Sequence, residues 1–174
     1  GVVTSVTEAK LQQAVWSVRK QALNIVMSMK GDGKPISFVE DCAVELSDLP
    51  EYTRRLNKIF QKHGTTGTWY AHASVGTLHV RPILNLKLDS EVRKMREIAE
   101  ETFDMVKEYK GSHSGEHGDG IVRSEFHEKM FGKDLISGFQ ELKGVLDPNN
   151  VMNPGRIVWP PAMDNRELLR YDAT

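Results

Sequence analysis

The chain has 174 residues, and its 23 Lys and Arg residues against 24 Asp and Glu residues give a net charge of −1. This balance excludes the strongly basic character of proteins that bind nucleic acid mainly through phosphates. The single cysteine, Cys42, excludes an internal disulfide and a cysteine-built zinc or iron–sulfur site within these residues. The sequence contains no apolar run of the roughly 20 residues that a transmembrane helix needs, and no secretory signal. We therefore expect a cytoplasmic protein, with a peripheral position at the inner membrane as the alternative.

The first third of the chain predicts two helices separated by a short strand. Apolar residues recur every three or four positions over 7–30, which predicts a long helix with one apolar face. Residues 36–39 are β-branched or aromatic for the most part, which favours a short buried strand. A second helix is predicted over 48–63, with a proline in its first turn and a glycine after its end.

The middle of the chain predicts two strands, a third helix and a loop. The strands cover 68–72 and 78–85 and are separated by a turn that contains Gly76. The helix covers 90–109. The next segment, 111–120, holds four glycines in ten residues, which lose much backbone entropy when they become ordered. We therefore expect a mobile surface loop with few contacts.

The last part of the chain contains only short segments with a recognisable pattern. Helical pieces are predicted over 125–130 and 135–145, and a turn-rich loop follows over 146–156. The tail at 159–174 has little pattern and is interpreted as a linker, which leaves 1–158 as the domain.

The order of these elements predicts an α+β fold. We expect a small antiparallel sheet of 36–39, 68–72 and 78–84, with helices packed mainly on one face in a partial ferredoxin-like arrangement. The helices at 7–30 and 90–109 are predicted to pack on that face.

Two histidines in the middle of the chain suggest a metal site. His72 and His79 lie seven residues apart, and a hairpin at Gly76 would turn both imidazoles toward one point. Two imidazoles suit Zn, Mn or Fe, and Glu116 offers a third ligand. A set of two histidines and one glutamate with open positions is typical of catalytic metal sites. The alternative is that both histidines are ordinary strand residues and that the glycines only form a turn.

Other polar residues are candidates for substrate contacts. His117 follows Glu116 directly and is placed to address a substrate. Arg19 and Arg81 could bind a carboxylate through their forked donors, although each could also lie on a solvated surface. Cys42 is predicted to be a small apolar filler, because nothing in the sequence activates its thiol.

Five segments together resemble a known family. Their sequences include HASVGTLHVRP, GSHSGEHGDGIVRSEF and NPGRIVWPPAMDNRELLR. In this order they resemble the C-terminal, substrate-binding half of FAD-linked oxidases of the vanillyl-alcohol-oxidase type, and are most similar to the long bacterial D-2-hydroxyglutarate dehydrogenases. The segments span nearly the whole chain: Val15–Arg19, Pro35–Val44, Tyr70–His79, Gly111–Gly120 and Asp147–Arg156.

The resemblance implies roles for particular residues. It implies that His72, His79 and Glu116 bind a divalent metal, Zn or Mn, and that His117 is the catalytic base at the substrate α-carbon. It also implies a set of binding residues, with two arginines near substrate carboxylates and one asparagine near the flavin: Arg19, Arg81 and Asn153.

The chain departs from the family pattern between the two histidines. Many relatives have H-x-G-D-G-N-x-H, and Val75 and Thr77 stand here in place of the Asp and Asn. The predicted metal ligands are still present, whereas these differences weaken any inference of substrate specificity from the relatives.

The resemblance also implies an activity and its partners. The activity is FAD-dependent oxidation of a D-2-hydroxy acid to the 2-oxo acid, and the FAD would be bound mainly by a separate flavin domain. A 4Fe-4S cluster would lie in a further C-terminal region, and the electron acceptor stays open. We expect this chain to be part of a larger enzyme and inactive alone. The alternatives are a D-lactate or glycolate dehydrogenase domain, a hydrolase that uses zinc-bound water, and a non-catalytic metal-binding or partner-binding module.

Overall fold

The computed structural model describes residues 3–170, which form five helices and one three-stranded antiparallel sheet. This arrangement confirms the predicted α+β class. The elements in chain order are α1 (Ala9–Met27), β1 (Lys34–Pro35), α2 (Leu49–Lys62), β2 (Gly67–His72), β3 (Thr77–Leu84), α3 (Asp89–Glu108), α4 (His127–Phe131) and α5 (Lys133–Leu146). Within the described range, no helix has both the length and the apolar character needed to cross a membrane.

Strand β3 is the centre of the sheet, between β1 and β2. Because side chains alternate along a strand, its two faces have different compositions. Leu78, Val80 and Leu84 are buried in the hydrophobic core. His79 and Arg81 point to the other face, which carries the polar residues described below.

The core lies between the sheet and helices α2 and α3. Trp69 of β2, which pairs with Val80, has its ring 5.7 Å from that of Phe60 on α2. The two helices contribute the following buried apolar side chains: Tyr52, Leu56, Phe60, Val92, Met95, Ile98, Ala99, Phe103, Met105 and Val106. The predicted packing of the third helix on one face of the sheet is therefore found.

The strand predicted at 36–39 lies earlier than expected. The regular strand is Lys34–Pro35, and the backbone of Ile36 still bonds to Pro82. The chain then leaves the ladder and returns to β3 where the Asp41 N–H donates to the Leu78 carbonyl oxygen at 2.8 Å. Asp41 has a φ of 78°, so a left-handed turn lies where the chain returns to β3.

Helix α1 forms as predicted but does not pack as predicted. None of its residues is buried, and Trp16 is 64% exposed. The prediction that this helix packs on the core face is wrong, because α2 and α3 already cover that face. Arg19 places its guanidinium carbon 4.6 Å from the centre of the Tyr70 ring, on the polar side of the sheet.

The segment after residue 158 contacts the body of the domain. Met163 is buried in the core, and Arg166 forms an ion pair with Asp89 at the start of α3. Residues 171–174 of the predicted linker lie outside the described residues, as do residues 1–2, and the division at 158 stays a prediction.

Candidate active site

A hairpin brings the two predicted histidines onto one face of the sheet. Strands β2 and β3 are joined by a short 3₁₀ turn and by Gly76, whose φ is 73°. In the resulting register, His72 lies opposite Thr77 and Tyr70 lies opposite His79. Because His79 is two residues beyond Thr77, both imidazoles emerge on the same side. A Cβ atom at Gly76 would lie 2.0 Å from the carbonyl oxygen of Val44, so the turn has room for glycine alone.

Three imidazoles surround one carboxylate oxygen. Oε1 of Glu116 lies 2.8 Å from His79 Nε2, 3.3 Å from His72 Nε2 and 3.5 Å from His117 Nε2. Ligand atoms that share a zinc ion at 2.0–2.2 Å are separated by about 3–3.5 Å. The separations from Glu116 are therefore close to those of a metal-binding set.

The cluster has a buried side and an open side. His79 is 2% exposed, whereas the side chains of His72 and Glu116 are close to half exposed. Burial lowers the pKa of His79, which favours the neutral imidazole that a metal ligand needs. The rings of His79 and His117 stack with their centres 5.0 Å apart. A small molecule could therefore approach from the side of His72 and His117.

The glycine-rich loop is anchored, contrary to the expectation of a segment with few contacts. The buried carboxylate of Asp41 accepts hydrogen bonds from the Ser114 hydroxyl and from the backbone N–H groups of Glu116 and His117. Gly115 and Gly111 both approach neighbouring backbone closely. The glycines here permit tight packing, so they do not make the loop loose.

A second acid connects the cluster to Arg81. Oε2 of Glu40 lies 2.6 Å from Arg81 Nε, and Oε1 of the same group lies 3.7 Å from His117 Nδ1. Arg81 also donates to Ser37 Oγ at 2.9 Å and to the Tyr70 hydroxyl at 3.2 Å. Within the described chain, its Nη1 atom is buried without a hydrogen-bond partner. Arg19 lies over the same Tyr70 ring, so both predicted arginines flank this tyrosine.

Asn153 lies elsewhere. It is exposed and lines an apolar groove beside α5, with Leu142 and Met152 among its neighbours. Among residues 3–170, those that contact the histidine cluster do not include Asn153.

Sequence reasoning missed the roles of Glu40 and Asp41. Both are buried within an otherwise apolar stretch that includes Phe38, Val39 and Cys42. Two adjacent acids in such a stretch are a usable signal, because buried carboxylates need specific partners. Burial raises the pKa of the Cys42 thiol to about 12, so this cysteine is an unreactive core residue, as expected.

A second polar cluster lies under the loop. Asp119 accepts a hydrogen bond from His127 at 2.7 Å and lies 3.3 Å from His113 Nε2. The Arg123 guanidinium nitrogen Nε lies 3.5 Å from the same carboxylate. Because Arg123 already balances the charge of Asp119, we interpret this cluster as a structural ion network that holds the loop to α4.

Comparison with known proteins identifies the domain. Residues 1–157 match the family of FAD linked oxidases, C-terminal domain. The chain belongs to this family. The family resemblance found in the sequence is thereby confirmed.

Named relatives of this FAD-linked oxidase domain are much longer than the chain. The D-2-hydroxyglutarate dehydrogenase of Haemophilus influenzae is 34% identical over 157 residues, which are 90% of this chain and 15% of that protein. The enzyme of the same name from Escherichia coli is 31% identical over 161 residues, 92% of this chain and 16% of that protein. Glycolate oxidase subunit GlcD of Bacillus subtilis is 27% identical over 160 residues, 90% of this chain and 33% of that protein. The chain thus spans about a sixth of the length of the first two relatives.

Proposed function

We propose that this chain is the substrate-binding and metal-binding domain of an FAD-dependent dehydrogenase that oxidises a D-2-hydroxy acid resembling D-2-hydroxyglutarate. The observation that carries the proposal is the convergence of His72, His79 and His117 on the carboxylate of Glu116. Family membership and the names of the relatives support the reaction class.

We assign His72, His79 and Glu116 as the residues that would hold Zn²⁺ or Mn²⁺. Two neutral imidazoles and one carboxylate are a donor set that these ions accept. The ligand atoms that all lie within 4.8 Å of one another belong to Asp41, His79, Glu116 and His117 and not to His72, so His117 is the competing third ligand. We exclude Asp41 from the set because three donors already occupy its carboxylate. When bound, such an ion polarises the hydroxyl and carboxylate oxygens of a 2-hydroxy acid.

His117 is the proposed base. Its Nε2 lies 3.5 Å from Glu116 Oε1 and so faces the cluster, and the carboxylate of Glu40 lies 3.7 Å from its Nδ1 on the opposite side of the ring. In the proposed reaction the hydroxyl proton moves to His117 Nε2, and the α-hydrogen leaves with its electron pair, which converts the C–O bond into a carbonyl. FAD, bound mainly by a separate flavin domain, supplies the hydride acceptor.

Arg19 and Arg81 are proposed to bind substrate carboxylates. The contacts of Arg81 with Glu40, Ser37 and Tyr70 fix its guanidinium beside the cluster and leave Nη1 without a partner in the described structure. Arg19 adds a second positive charge across the Tyr70 ring. Two arginines beside the site that would hold the substrate hydroxyl suit a substrate with two carboxylates. The placement of Asn153 near the flavin and the presence of an iron–sulfur region rest on the resemblance, and the cytoplasmic location stays a prediction from the sequence.

Metal titration of the purified chain tests the ligand set. We expect one Zn²⁺ or Mn²⁺ per chain by calorimetry, and a loss of binding in Glu116→Gln and His79→Ala. His72→Ala should weaken binding, whereas His117→Ala should leave the dissociation constant within about threefold, since a base is not a ligand. A matched control is His63→Ala, because His63 directly follows α2 and lies beside Glu97 and Glu101, away from the cluster. If His117→Ala weakened metal binding more than His72→Ala did, His117 would be the metal ligand and His72 would not.

The reaction is tested in the full-length protein loaded with FAD. We expect oxidation of D-2-hydroxyglutarate and little oxidation of its L enantiomer. The alternative substrates are D-lactate and glycolate, and the name of the Bacillus subtilis relative favours glycolate. A larger kcat/KM for either would assign that substrate, and failure to oxidise any D-2-hydroxy acid would leave a non-catalytic metal-binding module as the better proposal.

A further inference from the structure

We infer that Asp41 is a positioning residue, which holds the backbone of residues 114–117 so that Glu116 and His117 face His79. This inference rests on the proposed function of those side chains. Asp41 makes no contact with a substrate in this scheme and acts through the loop.

The contacts between Asp41 and the loop are numerous and short. Its Oδ2 accepts from Ser114 Oγ at 2.7 Å and from the His117 N–H at 2.7 Å, and its Oδ1 accepts from the Glu116 N–H at 3.0 Å. Its own carbonyl oxygen accepts from the Gly115 N–H at 2.6 Å. One residue therefore binds four consecutive residues of the loop.

Asp41 also binds the opposite half of the site. Its N–H donates to the carbonyl oxygen of Leu78, the residue before His79 on β3. The loop and β3, the strand that carries His79, are therefore both hydrogen-bonded to Asp41. The distance from Glu116 Oε1 to His79 Nε2 depends on this connection.

The charge and the backbone of Asp41 both suit this role. Burial raises its pKa, but the hydrogen bonds from Ser114, His117 and Glu116 outweigh burial and keep the pKa below its ordinary value. The ionised form accepts stronger hydrogen bonds from N–H donors than a neutral group does. Its φ of 78° is left-handed, and Asp and Asn adopt this region more readily than most other residues.

Gly115 supplies an independent way to disturb the same connection. A Cβ atom there would lie 2.9 Å from Thr77 Oγ1 and 3.2 Å from the Asp41 carbonyl oxygen. Gly115→Ala should therefore lift the loop away from Asp41 without changing any acid or histidine.

The test combines amide hydrogen exchange with metal titration of the chain. We expect the Glu116 and His117 amides to be protected in the wild type, and to exchange at least about tenfold faster in Asp41→Asn. Asparagine keeps the left-handed backbone but replaces one acceptor oxygen by an N–H₂ group. The dissociation constant for Zn²⁺ should rise by about 10- to 100-fold in Asp41→Asn and in Gly115→Ala. Asp104→Asn, which makes the same change at an exposed carboxylate of α3 that pairs with Lys129, is the matched control and should change the dissociation constant by less than about threefold.

Each result decides the inference. Fast exchange of both amides in the wild type, or unchanged Zn²⁺ affinity in a folded Asp41→Asn chain, would overturn it. If Asp41→Asn does not fold, the Zn²⁺ dissociation constant of Gly115→Ala and the amide exchange rates of the wild type provide the test. If Asp41 is instead a direct ligand, Zn²⁺ should speed exchange of the two amides, because the carboxylate would leave them. A wild-type chain that binds neither Zn²⁺ nor Mn²⁺ would refute the proposed metal centre, while the exchange comparison would still decide the role of Asp41.

Discussion

Glu116 and His117 are neighbours with different proposed tasks. In the full-length enzyme, His117→Ala should lower kcat by about 10² to 10⁴, because it removes the proton acceptor, and should leave the flavin content unchanged. Glu116→Ala should instead lose the metal and raise KM as well. Steady-state kinetics together with metal and flavin analysis separate the two failures. Near-normal turnover in both variants would show that this loop is not the active centre.

We expect the buried His113 to make the stability of the chain depend on pH. Burial lowers its pKa from the ordinary 6.5 to about 4 in the folded protein. Between these values the unfolded chain binds a proton that the folded chain does not, so stability falls as the pH is lowered through this window. The loss should reach up to about 3 kcal/mol.

Urea unfolding at pH 7, 6, 5 and 4.5 measures this loss. His113→Gln removes this titrating group and should reduce the dependence above pH 4.5, leaving the part that comes from His79, whose pKa burial also lowers. The lowered pKa of Asp119 adds a loss at lower pH, below its ordinary value of 3.8. Equal slopes in the two proteins would show that His113 does not cause the dependence.

The β2–β3 hairpin depends on one glycine. At Gly76, φ is +73° and a new Cβ atom would clash with the Val44 carbonyl oxygen. Gly76→Ala should therefore destabilise the chain by about 2–4 kcal/mol, through strain and a displaced backbone. Gly118 is the matched control, since its φ is +75° but nothing lies within 4 Å of a new Cβ. Gly118→Ala should cost about 1 kcal/mol.

Chemical denaturation of both variants provides the comparison. Equal destabilisation by the two alanines would mean that backbone strain alone acts at Gly76, and that the contact with Val44 is relieved by a small shift.

Local sequence patterns predicted the helices and the hairpin, since both depend on residues close together in the chain. The seven-residue spacing of His72 and His79, with Gly76 between them, was enough to place both imidazoles on one side. The contacts that underlie the proposed role of Asp41 could not be predicted from the sequence, because its partners include backbone N–H groups of a loop 75 and 76 residues away. Backbone groups carry no residue identity, so no motif marks such a contact.

Helix α1 shows another limit of sequence patterns. An apolar stripe indicates that a helix can be buried, but it does not specify which surface covers it. The core face of the sheet was already filled by α2 and α3. The chain therefore places α1 across the polar side, with exposed apolar residues such as Val15, Trp16 and Ile25.

At the scale of the whole molecule, stability is unevenly distributed. Helix α1 has no buried residue, whereas α3 has eight. We expect limited trypsin digestion of the chain to cut first in α1, at Arg19 or Lys20, and to leave the remaining domain intact. Mass spectrometry of the early fragments tests this order. Early cleavage within α3, for example at Arg96, would contradict it.

The proposed metal ligands come from two distant parts of the chain. The hairpin supplies His72 and His79, the loop supplies Glu116, and all of α3 lies between them. An ion held by both parts closes this segment into a ring, so it acts as a reversible cross-link. Because such an ion would bind only the folded chain, the unfolding temperature should rise with the logarithm of the free metal concentration, and a chelator should lower it. Metal supply would then set the lifetime of the protein as well as its activity, since chains without metal would unfold and be degraded first.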